Sequence, residues 1–195
     1  NVDGQTTIDV DYSLPNIKRS HVSHKASEMT IPFLKDGKPA FDLILHVADN
    51  DVALRYRIHP VGETAVAVVK EEKTGFVLPS GTTTFLCPQS APMQGFARTS
   101  PSYETNYTLD DEMGKNGWGN GYSFPCLFKA HPLPGEGSTG NLWVLISETG
   151  VDGSYCAGRL LGAASPLPGE GAGVGLYTIG QPQPGEMNGA GGTSP

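Results

Sequence analysis

"PAFDLILHVADNDVALRYRIHP", residues 39 to 60, alternates apolar and polar positions on both sides of a short polar break. Phe41, Leu43, Leu45 and Val47 fall on one side of an extended chain, and Asp42, Ile44 and His46 on the other. After Asp49, Asn50 and Asp51, the alternation resumes with Val52, Leu54, Tyr56 and Ile58 against Arg55 and Arg57. A period of two marks a strand with one buried face, and a short polar turn between two such runs predicts a β-hairpin. Arg55 and Arg57 share a face of their strand, so pairing with Glu71 or Glu72 across a sheet is their expected use.

Outward from this hairpin, "TAVAVVKEE", "GFVLP", "TTTFLCP", "SFPCLFKA", "NLWVLISE", "GSYCAGRLL" and "GLYTIG" repeat short apolar runs at regular intervals. No window combines a helical period with caps at both ends. The 26 glycines and 16 prolines punctuate these runs, which is the rhythm of strands and turns. With 195 residues, 37% of them hydrophobic, the chain can bury a substantial core. The expected fold is all-β, a sandwich of stacked, mainly antiparallel sheets with little or no helix. One domain over residues 1–195 is expected. Residues 181–195, within "GQPQPGEMNGAGGTSP", have little that could pack and read as a linker.

Charge and composition exclude several classes of function. The net charge of −7, with basic residues scattered, argues against nucleic acid, whose binders need clustered Lys and Arg. No run of about 20 apolar residues suggests a membrane span. Cys87, Cys126 and Cys156 lie far apart; buried thiols are the expected state, with one disulfide as the alternative. His21 and His24 would suit a metal only on a helix, and their surroundings have no helical face. No G-x-S-x-G elbow supports a serine hydrolase. The glycines of "GEGAGVGLY" lack the strand–turn–helix unit of a nucleotide loop.

The stretch "APMQGFARTSPSYETNYTLDDEMGKNGWGNGYS", residues 91 to 123, is different. A long irregular connection in a compact domain is usually functional or disordered, and Phe96, Tyr103, Tyr107, Trp118 and Tyr122 favour the first. Glu104, Asp110, Asp111 and Glu112 fall in the same stretch. Carboxylates among aromatic rings suit either a solvated acidic face or a carbohydrate-facing surface, since sugars stack on rings and hydrogen-bond through hydroxyls. Calcium takes about 6–8 oxygens, and no EF-hand spacing supplies them here, so a cation held by this loop must borrow ligands from elsewhere. Glu148 ends the run "NLWVLISE". An acid satisfying backbone donors at a strand end is favoured there over a second metal ligand.

Several segments, in order, carry a resemblance. "EMTIPF" (28–33), "DNDVALRYRIHP" (49–60), "VVKEEKTGFVLPSGTTTFL" (68–86), "SYETNY" (102–107), "FPCLFKA" (124–130) and "WVLISETGVDGSY" (143–155) resemble the amino-terminal domain of glycoside hydrolase family 97. The family shows a YNEL-like strand, a D-G-x-x-F-R-Y-x-F-P hairpin, an E-E-x-x-x-F strand, a Y-E-x-x-Y loop and a later segment opening on Glu-Ala. "DYSLPNIKRS" echoes a further family stretch. Thr149 stands where the family has Ala, Asn50-Asp51 replaces the D-G turn, and the loop after Glu104 is shorter than usual.

The resemblance implies a β-supersandwich trimmed at its amino-terminal side, belonging to a longer enzyme with a (β/α)8 catalytic barrel. It implies an exo-acting hydrolase of α-glucosides or α-galactosides, periplasmic or secreted, whose acid and base or nucleophile sit on the barrel. The stereochemical outcome, set by the separation of two carboxylates, is then a property of that barrel. No catalytic residue is expected in this chain, and alone it should be inactive. The barrel would supply most ligands of an active-site Ca2+, and the Y-E-x-x-Y glutamate, here Glu104, would add one. Asn116 and Trp118 are candidate substrate contacts. The partners implied are the barrel and an α-linked oligosaccharide. A stand-alone carbohydrate-binding module, with Trp118, Tyr103 and Tyr107 as its platform, is the alternative.

Overall fold

The computed structural model describes residues 3–60, 63, 72–79, 81–89, 105–111, 113–130, 142–150, 158–163 and 175–180. Every regular element among them is a β-strand, and the strands form two antiparallel sheets, as the all-β expectation requires. The chain divides into two compact units, Asn1–Ala67 and Val68–Pro195, each with one sheet. Residues 181–195 lie outside the described residues.

The first unit is a four-stranded meander of β1 (Asp3–Ser13), β2 (His21–Lys35), β3 (Lys38–Ala48) and β4 (Val52–Ile58), in that order. The hairpin at 39–60 is β3 and β4, paired from Phe41 opposite Ile58 to Val47 opposite Val52. The Ala48 amide donates to Asp51 O across the turn at 2.9 Å. A tighter hairpin joins β2 to β3: Asp36 and Gly37 both have positive φ, 51° and 75°. This is the two-residue geometry that Asp-Gly favours because its twist matches that of the flanking strands.

The burial of this hairpin differs from the simple alternation. Val47, Leu54, Tyr56 and Ile58 remain 40–47% exposed, whereas Asp42 and Ile44, on the opposite face, are 5% and 4% exposed. Asp42 tolerates burial because its charge is met. Arg57, directly opposite in register, donates to Oδ2 from Nε at 2.9 Å and lies 2.7 Å from it through an NH2 nitrogen. His59 Nε2 lies 3.0 Å from the same oxygen. The expected partner of Arg57 is thereby corrected: it pairs with Asp42 one strand away, and Glu72 instead accepts from Thr74 Oγ1. His59 first, then Arg57, hold the Asp42 carboxyl below the usual carboxylate range.

The second unit holds β5 (Gly75–Leu78), β6 (Thr83–Pro88), β7 (Thr108–Leu109), β8 (Tyr122–Ala130), β9 (Leu142–Ile146), β10 (Arg159–Ala163) and β11 (Gly175–Gly180). Their order is β5-β11-β10-β8-β6-β7, with β9 also paired to β8. One face carries the core: Leu78, Leu86, Tyr122, Cys126, Phe128, Ile146, Leu160 and Tyr177. Alternation along β8 explains it, because Cys126, Phe128 and Ala130 point inward while Leu127 and Lys129 point outward. Cys87 and Cys126 are buried thiols, as expected; Cys156 lies outside the described residues.

Candidate functional site: a loop held on a sheet edge

Glu104 lies outside the described residues, as do Phe96, Tyr103 and Glu112. The chain immediately after Glu104 is held to β6 at almost every residue. The Cys87 thiol donates to Thr105 O at 3.6 Å. Tyr107 stacks on Phe85, ring centroids 4.8 Å apart and planes within 12°. Thr108 and Leu109 form β7, opposite Leu86 and Phe85, and Thr108 Oγ1 donates to Leu86 O. Asp110 turns the chain in the left-handed region, φ 50°, which Asp tolerates better than most residues. Its amide donates to Thr84 O at 2.8 Å.

Asp111 then closes the strip. Its backbone oxygen accepts from Thr84 Oγ1 at 3.0 Å, and its Oδ2 accepts from the buried Tyr122 hydroxyl at 3.0 Å. Lys115 Nζ sits 3.5 Å from Oδ1. Burial, with the Asp111 carboxylate adding to it, pushes the Tyr122 hydroxyl far above its ordinary value, so it stays a neutral donor. Of the acids that the sequence groups together, Asp111 is thus engaged in holding the loop.

Residues 113–121 continue as turns laid against β10 and β11. The Gly114 amide donates to Tyr177 Oη at 3.0 Å. Asn116 organises the turn around it: its backbone oxygen accepts from Gly119 and Gly121, its Nδ2 donates to Gly119 O, and its Oδ1 accepts from the Gly162 amide. The two candidate substrate contacts therefore share one turn but present different chemistry. Asn116 has both amide atoms on backbone, while Trp118, 59% exposed, stands into solvent.

Glycine is needed where this loop meets the sheet. A Cβ on Gly162 would fall 1.7 Å from Lys115 O, and one on Gly121, at φ +82°, 2.5 Å from Leu160 O. Glu148, expected to satisfy backbone donors, accepts from the Gly158 amide through Oε1 at 2.7 Å. Spacing alone did not reveal Thr84, Cys87, Tyr122 or Tyr177 as anchors, since each acts across strands distant in sequence.

Among the described residues, no group of three or more His, Cys, Asp or Glu side chains could hold a metal ion. In the first unit, His24 and His46 share a 2.8 Å Nε2–Nε2 hydrogen bond with nearly coplanar rings. Glu28 Oε2 lies 4.0 Å behind His46 Nδ1, away from the other imidazole. No helix among the described residues is long and apolar enough to cross a membrane.

The second unit thus holds a loop that bears Tyr107, Asp110 and Asp111 along one edge of its sheet. The chain belongs to the amino-terminal domains of glycoside hydrolase family 97: the family model described as Glycosyl-hydrolase 97 N-terminal matches residues 2–185. Membership makes the parent a glycoside hydrolase and gives this domain a catalytic domain as partner. No curated protein and no solved structure matches the chain.

Proposed function

We propose that the chain is the amino-terminal domain of an exo-acting α-glycosidase that cleaves α-glucosides or α-galactosides outside the cytoplasm, in the periplasm or after secretion. In this reading Glu104 gives one oxygen ligand to a Ca2+ that the catalytic barrel otherwise holds. The supporting observation is the pinning of residues 105–111 on β6, which fixes the chain directly after Glu104. One carboxylate cannot make a calcium site alone, because the ion needs several more oxygens, and Asp111 is already engaged with Tyr122 and Lys115. When bound, the ion orients the substrate and the catalytic groups. Trp118 offers a ring to the sugar, and Asn116 keeps the turn that presents it.

The test is calcium dependence in the whole enzyme. Glu104→Gln should raise the Ca2+ concentration for half-maximal activity by at least about tenfold, the loss of roughly 1.4 kcal/mol of binding, with thermal unfolding in the absence of calcium unchanged. An unaltered calcium requirement would sink the shared-ligand reading. The exposed rings of Trp118 and Tyr107 keep the binding-module alternative open to a direct check: saturable binding of a defined glycan by this chain alone would favour it.

A further inference from the structure

The outward face of the seven-stranded sheet is apolar where water should meet polar groups. An antiparallel sheet covered on one side alternates apolar inside with polar outside. The inner face obeys, with Leu86, Cys126 and Phe128 at 0% exposure. On the other face Leu109 lies opposite Phe85, Phe85 opposite Leu127, and Leu127 opposite Leu145, a continuous apolar row across β7, β6, β8 and β9. Phe85, Leu109 and Leu145 are 38%, 73% and 63% exposed. The next row runs Thr83, Lys129, Trp143, and the Lys129 ammonium lies 5.7 Å from the Trp143 ring centre. Phe85, Leu109, Asp110, Leu127, Lys129 and Trp143 line a groove of about 420 Å3.

The composition of the face narrows its occupant. Sugars need flat rings beside hydrogen-bonding groups, whereas leucines offer only the exclusion of water, which another protein surface provides. An aromatic and aliphatic centre with a charged rim, here Lys129 and Asp110, is the anatomy of a protein interface. We propose that this face is where the catalytic domain of the same enzyme docks. The inference rests on the reading of Glu104 as a ligand for that domain's calcium. Tyr107, stacked on Phe85, follows Glu104 by three residues, at most about 10 Å of extended chain. A domain that receives Glu104 is thereby within reach of this face.

The whole enzyme tests it with the double substitution Leu109→Arg and Leu145→Arg, and with the milder Trp143→Ala should the double variant fail to fold. Small-angle scattering should show a larger radius of gyration. Proteolysis at the junction after this domain should accelerate at least about tenfold, with the circular dichroism of the strands unchanged. Unaltered compactness and cleavage in a folded variant would overturn the proposal. So would a wild-type dimer that the substitutions convert to a compact monomer, or loss of glycan binding without opening. Glu104→Gln separates the two readings: if it leaves calcium dependence unchanged while the arginine variant opens the enzyme, docking stands and the shared ligand falls. A calcium effect without any opening removes only the docking face.

Discussion

Gly162→Ala is the sharpest probe of the loop that carries Asn116 and Trp118. The added methyl would lie 1.7 Å from Lys115 O, 2.4 Å from Lys115 C and 2.6 Å from Gly114 O, all backbone atoms. Ordinary contact needs about 3.5 Å, so residues 114–116 must retreat from β10 by about 2 Å. Such a retreat breaks the bond from the Gly162 amide to Asn116 Oδ1 and strains that from the Gly114 amide to Tyr177. Overpacking costs about 1–3 kcal/mol, and an amide left without its acceptor about 1–3 more. A loss of about 2–6 kcal/mol lowers Tm by roughly 4–24 °C in a chain of this size. Gly150→Ala is the control, with nothing within 4 Å of the new methyl and only a φ of +68° to strain, costing about 1–2 kcal/mol. Thermal unfolding followed by circular dichroism compares the two. Equal, small shifts would refute the close approach of loop and sheet.

Two further outcomes concern groups whose protonation the fold alters. Asp42 is held below its ordinary value by His59 and Arg57, so the unfolded chain takes up its proton more readily. Its contribution to stability is present above about pH 3.9 and is lost as pH falls through the lower folded value. Asp42→Asn should flatten the acid limb of the stability curve, and superimposable limbs for wild type and variant would contradict the clamp. Burial pushes the Cys126 thiol up to about 12, so at pH 8 it should resist maleimide for hours in the native protein and react promptly in denaturant. Rapid native labelling at Cys126 would show that the core face opens.

The features legible in the chain divide from the hidden ones by the range of the interactions. The hairpin at 39–60 was legible because alternation and its polar turn are local. Asp36-Gly37 was equally local, a two-residue turn between apolar runs, and its signal was there to be used. The burial of Asp42 was not legible: it depends on Arg57 standing opposite in register and on His59 beyond the strand end. β7 could not be foreseen inside the long loop, because two residues acquire strand character only from pairing with β6. Asn116 was a candidate substrate contact by its place in the long loop, and the partners of its amide were hidden because Gly162 is 46 positions away. The apolar outer face did leave a trace in "NLWVLISE", whose unbroken apolar run signals a strand covered on both sides.

The two-residue strand β7 has a thermodynamic meaning larger than its length. Ordering a backbone residue costs about 1–2 kcal/mol, and a ligand on an unanchored loop would lose that much metal affinity each time the ion bound. Here Thr105 to Asp111 are ordered in the domain itself, so folding has already met that cost before any ion arrives. If Glu104 is the calcium ligand proposed above, the site gains from such an arrangement, since each residue left to order at binding would cost it about a five- to thirtyfold loss in affinity.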